Sequence, residues 1–393
     1  MPCKIILPII FLTISSDYER AVREHIEDGT MVEESKSIVD RKFRDDGMAL
    51  TKHWSEKPLE KMTDRDWRIF REDHEIIIKG GRVPRPIRDW NEAELPQFLH
   101  DNIKTLNYKK PTSIQVQAIP VGLTRRDLIG LAPTGSGKTA AFLIPLINYL
   151  SSLPPITPDI AEEGPYGLII TPTRELAIQI HADFQKMSAG TKLRSTVVVG
   201  GKSIEEQSMN IRKGVELMVG TPGRLKDALE SRFCVLNQCT YVIIDEADRM
   251  MDMGLEEPLQ YILDSIPATN LKSDREELAE LQEEKSKKGE SNYRITHMFS
   301  ATMPSQVEKI ARKYLRCPSY ISIGEPGVGK KDIEQRVEFI SESEKKHRLK
   351  AILNKAEPPI IIFLNEKRAV ELLAQTLEKW GVRLLFLVSI NCL

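Results

Sequence analysis

The chain has 393 residues, 41% of them apolar and 29% charged, and a formal net charge of −1. That is long enough for two domains of ordinary size and ordinary in composition for a soluble globular protein. The near-zero charge excludes a whole-surface basic field, so any contact with nucleic acid must be local and geometric. The cysteines, Cys3, Cys234, Cys239, Cys317 and Cys392, are odd in number and form no CxxC pair. This pattern points to a reduced compartment and argues against a metal knuckle.

The chain opens on "KIILPIIFLTI", which imitates the apolar core of a signal peptide. Pro8 interrupts it, no small-residue cleavage site follows, and it is too short to span a bilayer as a helix. It reads as a spurious or alternative start. Residues 16 to about 80 are charged and weakly periodic, which predicts a mobile extension with some helix. From Asp127 a rhythm sets in. The short runs "DLIGLA", "GLIIT", "STVVVG", "ELMVG", "YVIID", "ITHMFS" and "YISIG" alternate with helical patterns such as "KTAAFLIPLINYL" and "RELAIQIHADFQKM". Strands alternating with helices predict an α/β fold, a parallel sheet covered on both faces. Seven strands would complete one domain near Gly324.

Two segments interrupt the rhythm. "PPITPDIAEEGPYG" is a Pro-rich loop, and "NLKSDREELAELQEEKSKKGESN" is a charge-dense insertion expected to be a solvated helix with Glu-to-Lys pairs. After the linker-like "GEPGVGKKD" the pattern restarts through "QRVEFIS", "EKKHRLKAILNKA", "PPIIIFLN", "EKRAVELLAQTLEKW" and "RLLFLV". This predicts a second α/β domain that reaches three strands.

The chemistry-bearing residues lie just after predicted strands. "LAPTGSGKTAAF" follows the first strand and opens a helix. Gly135 and Gly137 let backbone N–H groups curl around phosphate oxygens, and the helix N-terminus adds its positive end. Lys138 can neutralise the β and γ phosphates, and Thr139 can ligate Mg²⁺. Ala132 stands where the GxxxxGK[ST] pattern asks for glycine, so the match is to a variant. In "YVIIDEADRMMDMG" an apolar strand delivers Asp245 to the carboxyl edge of the sheet, where open α/β folds bind ligands. Asp245 suits a Mg²⁺-bound carboxylate, and Glu246 suits orienting or deprotonating the attacking water.

Asp245-Glu246-Ala247-Asp248 spells the DEAD box, and "APTGSGKT" is that family's form of the P-loop. The chain resembles the DEAD-box RNA helicases over about residues 115 to 380. "YKKPTSIQ" is similar to the Q motif, with Gln115 as the adenine reader and Trp90 as the aromatic that the family places ahead of it. The resemblance implies ATP contacts from Thr134, Gly135, Ser136, Gly137, Lys138 and Thr139, and catalysis by Lys138, Asp245 and Glu246. It implies RNA contacts from "PTREL" (Pro172, Thr173, Arg174), "GG" (Gly201) and "TPGR" (Thr221, Arg224). Asp248 with Ser300 and Thr302 of "SAT" would couple ATP state to RNA. "PPIIIFLN", ending at Asn365, resembles the first motif of the second domain. "MTDRDWRIFREDHEI" with "PRPIRDW", and "SESEKKHRLKAIL", are similar to the branch of splicing ATPases of the spliceosomal tri-snRNP.

This implies two RecA-like units that close on ATP, Mg²⁺ and RNA backbone, with no base reading because phosphate contacts carry no sequence. It divides the chain into a variable extension (1–57), a pre-Q segment with the Q motif (58–116), an ATP-binding domain (117–325) and an incomplete C-terminal domain (326–393). The implied setting is a nuclear, monomeric protein without a membrane role, beside snRNP proteins. The family's basic N-terminal arm does not stand in this sequence. Nor do its late motifs, one carrying an arginine finger worth about 10³ to 10⁵ in rate. Hydrolysis by this chain is therefore expected near background, and the apolar run from Leu384 reads as a cut end. The alternative is a non-catalytic RNA- or partner-binding short isoform. A DNA-directed helicase is disfavoured by the Q motif and the DEAD tetrapeptide.

Overall fold

β-branched and aliphatic runs of four to six residues build the centre of the molecule. The computed structural model describes residues 8–9, 53–81, 83–157, 159–201, 211–324, 336–357, 360–364 and 366–382. It divides into two compact units, 52–328 and a second formed by 329–393 with 1–51.

In the larger unit the strands are β1 (Ile76–Lys79), β2 (Leu128–Leu131), β3 (Gly167–Ile170), β4 (Ser195–Val198), β5 (Leu217–Gly220), β6 (Tyr241–Ile244), β7 (Ile295–Ser300) and β8 (Ser319–Ile323). They form one sheet in the order β1-β8-β2-β7-β6-β3-β5-β4. All seven strands read from the sequence are present and parallel. The eighth, β1, adds antiparallel to β8 at one edge.

Alternate residues of the central strands feed two cores. Ile169, Val219, Ile243 and Phe299 face one, together with Phe142 and Ile144 of α4 (Lys138–Ser151) and Phe184 of α5 (Arg174–Met187). Leu168, Ile170, Met218, Val242 and Ile244 face the other, with Leu225 of α6 (Pro222–Glu230), Met250 of α7 (Ala247–Asp252), Leu259 of α8 (Glu256–Asp264) and Ile310 of α10 (Ser305–Tyr314).

Two readings need correction. The described part of the expected mobile extension is packed structure. Helix α1 (Asp64–Asp73) starts on a capping box between Thr63 and Asp66, and its Trp67 and Phe70 are buried in the first core. The weak periodicity hid a short helix whose apolar residues are few but large. The charge-dense insertion is also more than a solvated excursion. Its helix α9 (Glu276–Lys287) buries Ala279 and Ser286, and Lys272 just ahead of it is buried against Asp127, 2.6 Å away.

In the smaller unit, α11 (Glu342–Leu353) begins on a capping box between Ser341 and Glu344, and α12 (Lys367–Lys379) ends at Trp380, over which Lys350 lies. Pro8–Ile9 and Ile361–Ile362 pair in parallel. Residues 336–340, expected as a strand, belong to no ladder among the described residues. Asn365 and the final run "RLLFLVSINCL" lie outside the described residues, as does most of the N-terminal apolar stretch.

Candidate functional site: one edge of the sheet

Parallel strands end together, so the loops after them share one edge. Backbone hydrogen bonds stitch these loops side by side. Ala132 N–H donates to Ser300 O at 3.1 Å, Asp245 N–H to Ile170 O at 2.9 Å, Thr171 N–H to Gly220 O at 3.0 Å and Thr221 N–H to Val198 O at 3.2 Å. Every sequence-read motif of the first domain therefore lies on the same edge. They fall into two runs of neighbouring strands. Loops after β2, β7 and β6 carry the P-loop, "SAT" and "DEAD". Those after β3, β5 and β4 carry "PTREL", "TPGR" and "GG".

The P-loop turns through left-handed conformations at Gly135 (φ 75°) and Gly137 (φ 92°) before α4 begins at Lys138. Its φ calls for glycine at 137, and a Cβ there, 2.5 Å from Gln115 Nε2, would also push that amide aside. Thr134 is exposed at the tip and Thr139 half-buried at the start of the helix. Ser136 Oγ is buried with no hydrogen-bond partner. A hydroxyl left unmatched beside four free helix N–H groups suits a phosphate oxygen. Lys138 is buried, and its Nζ donates to Ala132 O at 2.9 Å, folding the side chain back over its own loop.

Asp245 follows β6 and is buried, and its Oδ1 accepts the Glu246 N–H at 3.0 Å. Burial pushes its carboxyl up to about 7 against the pull of Lys138, while Glu246 and Asp248 add to the rise. A buried carboxylate with too little positive charge nearby, on the same sheet edge as the Thr139 hydroxyl, is a hard oxygen donor that fits a magnesium ion. Among the described residues no three His, Cys, Asp or Glu side chains cluster as a metal cage. A magnesium ion there would complete its shell with phosphate and water oxygens.

Glu246 sits at φ 53°, an uncommon conformation for a non-glycine residue, and caps α7. Its Oε2 pairs with Arg249 Nη1 at 3.3 Å. Asp248 Oδ2 accepts from Thr302 N–H (2.8 Å), Thr302 Oγ1 (2.8 Å) and Ala301 N–H (3.2 Å), and Asp248 N–H donates to Ser300 Oγ at 3.1 Å. Burial opposes ionising Asp248, but hydrogen bonds led by the Thr302 hydroxyl outweigh it and hold the carboxyl below its usual range. The DEAD and SAT loops are thus tied through one carboxylate.

Gln115 is buried with its amide engaged at both ends. Oε1 accepts from Thr112 N–H at 2.9 Å and Nε2 donates to Gly137 O at 3.0 Å. One N–H and one lone pair remain for a base. Trp90 is 6% exposed, and its ring lies 6.5 Å from Tyr108 at 26°, so the accessible aromatic of this pair is Tyr108, 36% exposed.

On the other run, Thr173 caps α5, accepting Leu176 N–H at 3.4 Å, and Thr221 precedes α6 with Pro222 at its first turn. Both helix N-termini point out of the edge, a setting for phosphate. Pro172 is buried beneath them. Arg174 is exposed, and its Nη1 donates to Gly200 O at 3.0 Å beside Gly201 (φ 79°). Arg224 is half-buried on α6. The sequence did not single out Arg249, Tyr108 or Gln117. For Arg249 the signal was its spacing three residues after Glu246 at a helix start.

The DEAD/DEAH box helicase family signature matches residues 112–310. The pre-mRNA-splicing ATP-dependent RNA helicase PRP28 of Phaeosphaeria nodorum is 48% identical over 356 residues, covering 89% of this chain and 47% of that protein. The chain spans about half the length of the curated relatives it matches. The crystal structure of the yeast DEAD-box splicing factor Prp28 aligns with a TM-score of 0.64 and 37% identity over 84% of this chain and 71% of that one. That of the RNA helicase Prp28 from Chaetomium thermophilum bound to ADP aligns with a TM-score of 0.57 and 46% identity over 84% and 73%.

Proposed function

This chain belongs to the DEAD/DEAH box helicase family, and from that premise we propose that it carries the ATP-binding and RNA-binding part of an ATP-dependent, RNA-stimulated ATPase that remodels short RNA duplexes in pre-mRNA splicing, with its own hydrolysis near background. Its setting is the nucleus, as a monomer working beside spliceosomal snRNP proteins. The observation that supports the reading is that the loops carrying the P-loop, SAT and DEAD motifs adjoin those carrying PTREL, TPGR and GG on one sheet edge.

ATP enters with its phosphates against Gly135, Ser136 and Gly137 and the start of α4. Lys138 leaves Ala132 O and turns to the phosphates, exchanging a neutral acceptor for an anionic one. A magnesium ion held by the Thr139 hydroxyl and the Asp245 carboxylate would neutralise charge on the transferring phosphoryl oxygens. Glu246 orients the attacking water, and Arg249 holds that carboxylate until the site closes. Gln115 and the Trp90–Tyr108 pair take the base. Thr173, Arg174, Gly201, Thr221 and Arg224 grip one RNA strand by its phosphates, with Pro172 bracing the turn. Asp248, joined to Ser300 and Thr302, transmits the state of one run to the other.

Titration of the chain with ADP and Mg²⁺, and separately with homopolymeric single-stranded RNA, tests this. Expected are adenine-nucleotide binding that Lys138→Ala abolishes, and RNA binding that this substitution spares and that depends little on base identity. A chain that binds no adenine nucleotide, or that demands one RNA sequence, sinks the reading.

A further inference from the structure

The helix that carries Gln115 is held from two sides. Helix α3 (Ser113–Leu123) is buried almost throughout. Successive side chains turn by about 100°, so residues 115 and 117 leave it about 200° apart, on nearly opposite sides. On one side Gln115 reaches Gly137 of the P-loop. On the other Gln117, fully buried, accepts from Arg71 Nε at 3.0 Å and donates to Pro84 O at 2.9 Å.

Arg71 belongs to α1, and Pro84 to the irregular segment between β1 and Trp90. That segment bonds α3 again where Ile87 N–H donates to Val116 O at 2.9 Å. Three residues later it delivers Trp90 against Tyr108. The strap is itself anchored: Arg88 Nη1 donates to Lys57 O at 2.8 Å, and Lys57 pairs with Asp66 of α1 at 2.7 Å. The described residues of 57–81 and 83–90 thus form a clasp whose far end is Trp90, packed on Tyr108, and whose middle is Arg71. Arg71 is desolvated enough to lower its pKa, so this side chain gives up water for its place against Gln117.

We propose that Arg71 is a positioning residue for recognition of the nucleotide base. Acting through Gln117, it fixes the depth of α3, and so sets where the free amide groups of Gln115 and the Trp90–Tyr108 pair stand relative to the P-loop. This rests on the proposed reading of Gln115 as the base-contacting residue. Releasing the clasp lets α3 settle outward. Base recognition is lost, while the phosphate cradle, built from the P-loop and α4, is kept.

Fluorescent ADP and GDP analogues share their phosphates and differ in the base, so their affinity ratio isolates the effect. Both are titrated into the full chain and into Arg71→Met, which keeps the aliphatic stem and removes the donor. Melting temperatures are measured alongside. ADP affinity should fall about tenfold, the scale of one charged hydrogen bond, with GDP affinity nearly unchanged. Arg71→Lys, which restores a donor, should recover part of the ratio, and it is read in the same way if Arg71→Met does not fold. An unchanged ratio overturns the proposal, as does a parallel loss of both affinities with a lower melting temperature. If the unaltered chain binds ADP and loses it in Lys138→Ala, such a result removes Arg71 only. If the unaltered chain binds ADP and GDP alike, the role of Gln115 falls first and Arg71 with it.

Discussion

On the proposed function, the two runs of loops on one sheet edge, a nucleotide run and a strand run, solve different problems with different materials. The nucleotide run uses charge taken out of water: Lys138 and Asp245 are both buried, and Asp248 is saturated by donors from the neighbouring loop. The strand run keeps its charge outside. Arg174 is exposed and Arg224 half-buried, beside helix N-termini, threonines and a glycine turn. Bond breaking on a phosphate needs fixed charges in a dry site, where they act with little screening. Holding a strand of any sequence needs contacts that tolerate whichever base comes along, and wet, dipolar ones suffice.

The contrast extends to the opposite ends of the strands. Asp127, at the root of β2, meets Lys272 at 2.6 Å with both side chains 1% exposed. Glu216, at the root of β5, meets Arg194 at 2.9 Å, but that arginine is 44% exposed. Lys272→Ala leaves Asp127 buried without its counter-ion, held only by the Thr296 and Arg316 N–H groups, and should cost about 3 kcal/mol of stability. Arg194→Ala admits water to Glu216 and should cost clearly less. Urea unfolding of both variants decides this, and equal losses would mean that burial is not what separates the two halves.

A second difference is acid sensitivity. His297, on β7 of the nucleotide run, is enclosed against Tyr241 and the Arg126 carbonyl, whereas β3, β5 and β4 hold no histidine. Burial drops its pKa to about 3, helped by Lys272 and only partly opposed by the Arg126 carbonyl. The unfolded chain takes a proton near pH 6.5 and the folded one does not until about 3, so stability falls as pH drops through that window. At pH 5 the loss from this residue is about 2 kcal/mol. His297→Gln should flatten the stability curve by that amount between pH 7 and 5. Parallel curves would assign the acid sensitivity elsewhere.

Legibility in the sequence follows the same division. The seven parallel strands were readable because each is a short apolar run bounded by a turn and a helix, and the edge motifs because glycine, lysine and acid fall directly after such runs. What was missed is held by contacts distant in the chain. Nothing local announces that Arg71 meets Gln117, 46 residues on, or that Lys272 meets Asp127. Thus α1, β1 and the insertion read as charged surface, while their long-range partners make them structure. Trp90 stands out in the sequence only through the family resemblance, and its burial against Tyr108 depends on contacts distant in the chain.

Arg174 gives the smallest effect and the finest discrimination between the two runs. Its guanidinium donates to Gly200 O, so it has two possible tasks: touching an RNA phosphate, or holding the glycine turn that does. The tasks differ in salt dependence. Loss of one phosphate contact to a single strand lowers the slope of log affinity against log salt by about 0.7, with an affinity loss of about 1 kcal/mol at moderate salt. Loss of a turn-holding bond lowers affinity equally at every salt concentration and leaves the slope in place. Arg174→Ala, titrated with homopolymeric RNA at several salt concentrations, should lower the slope and leave ADP binding untouched. A fall in affinity at constant slope would move Arg174 from the RNA to its own scaffold. The strand run would then rest on Arg224 and the two helix N-termini.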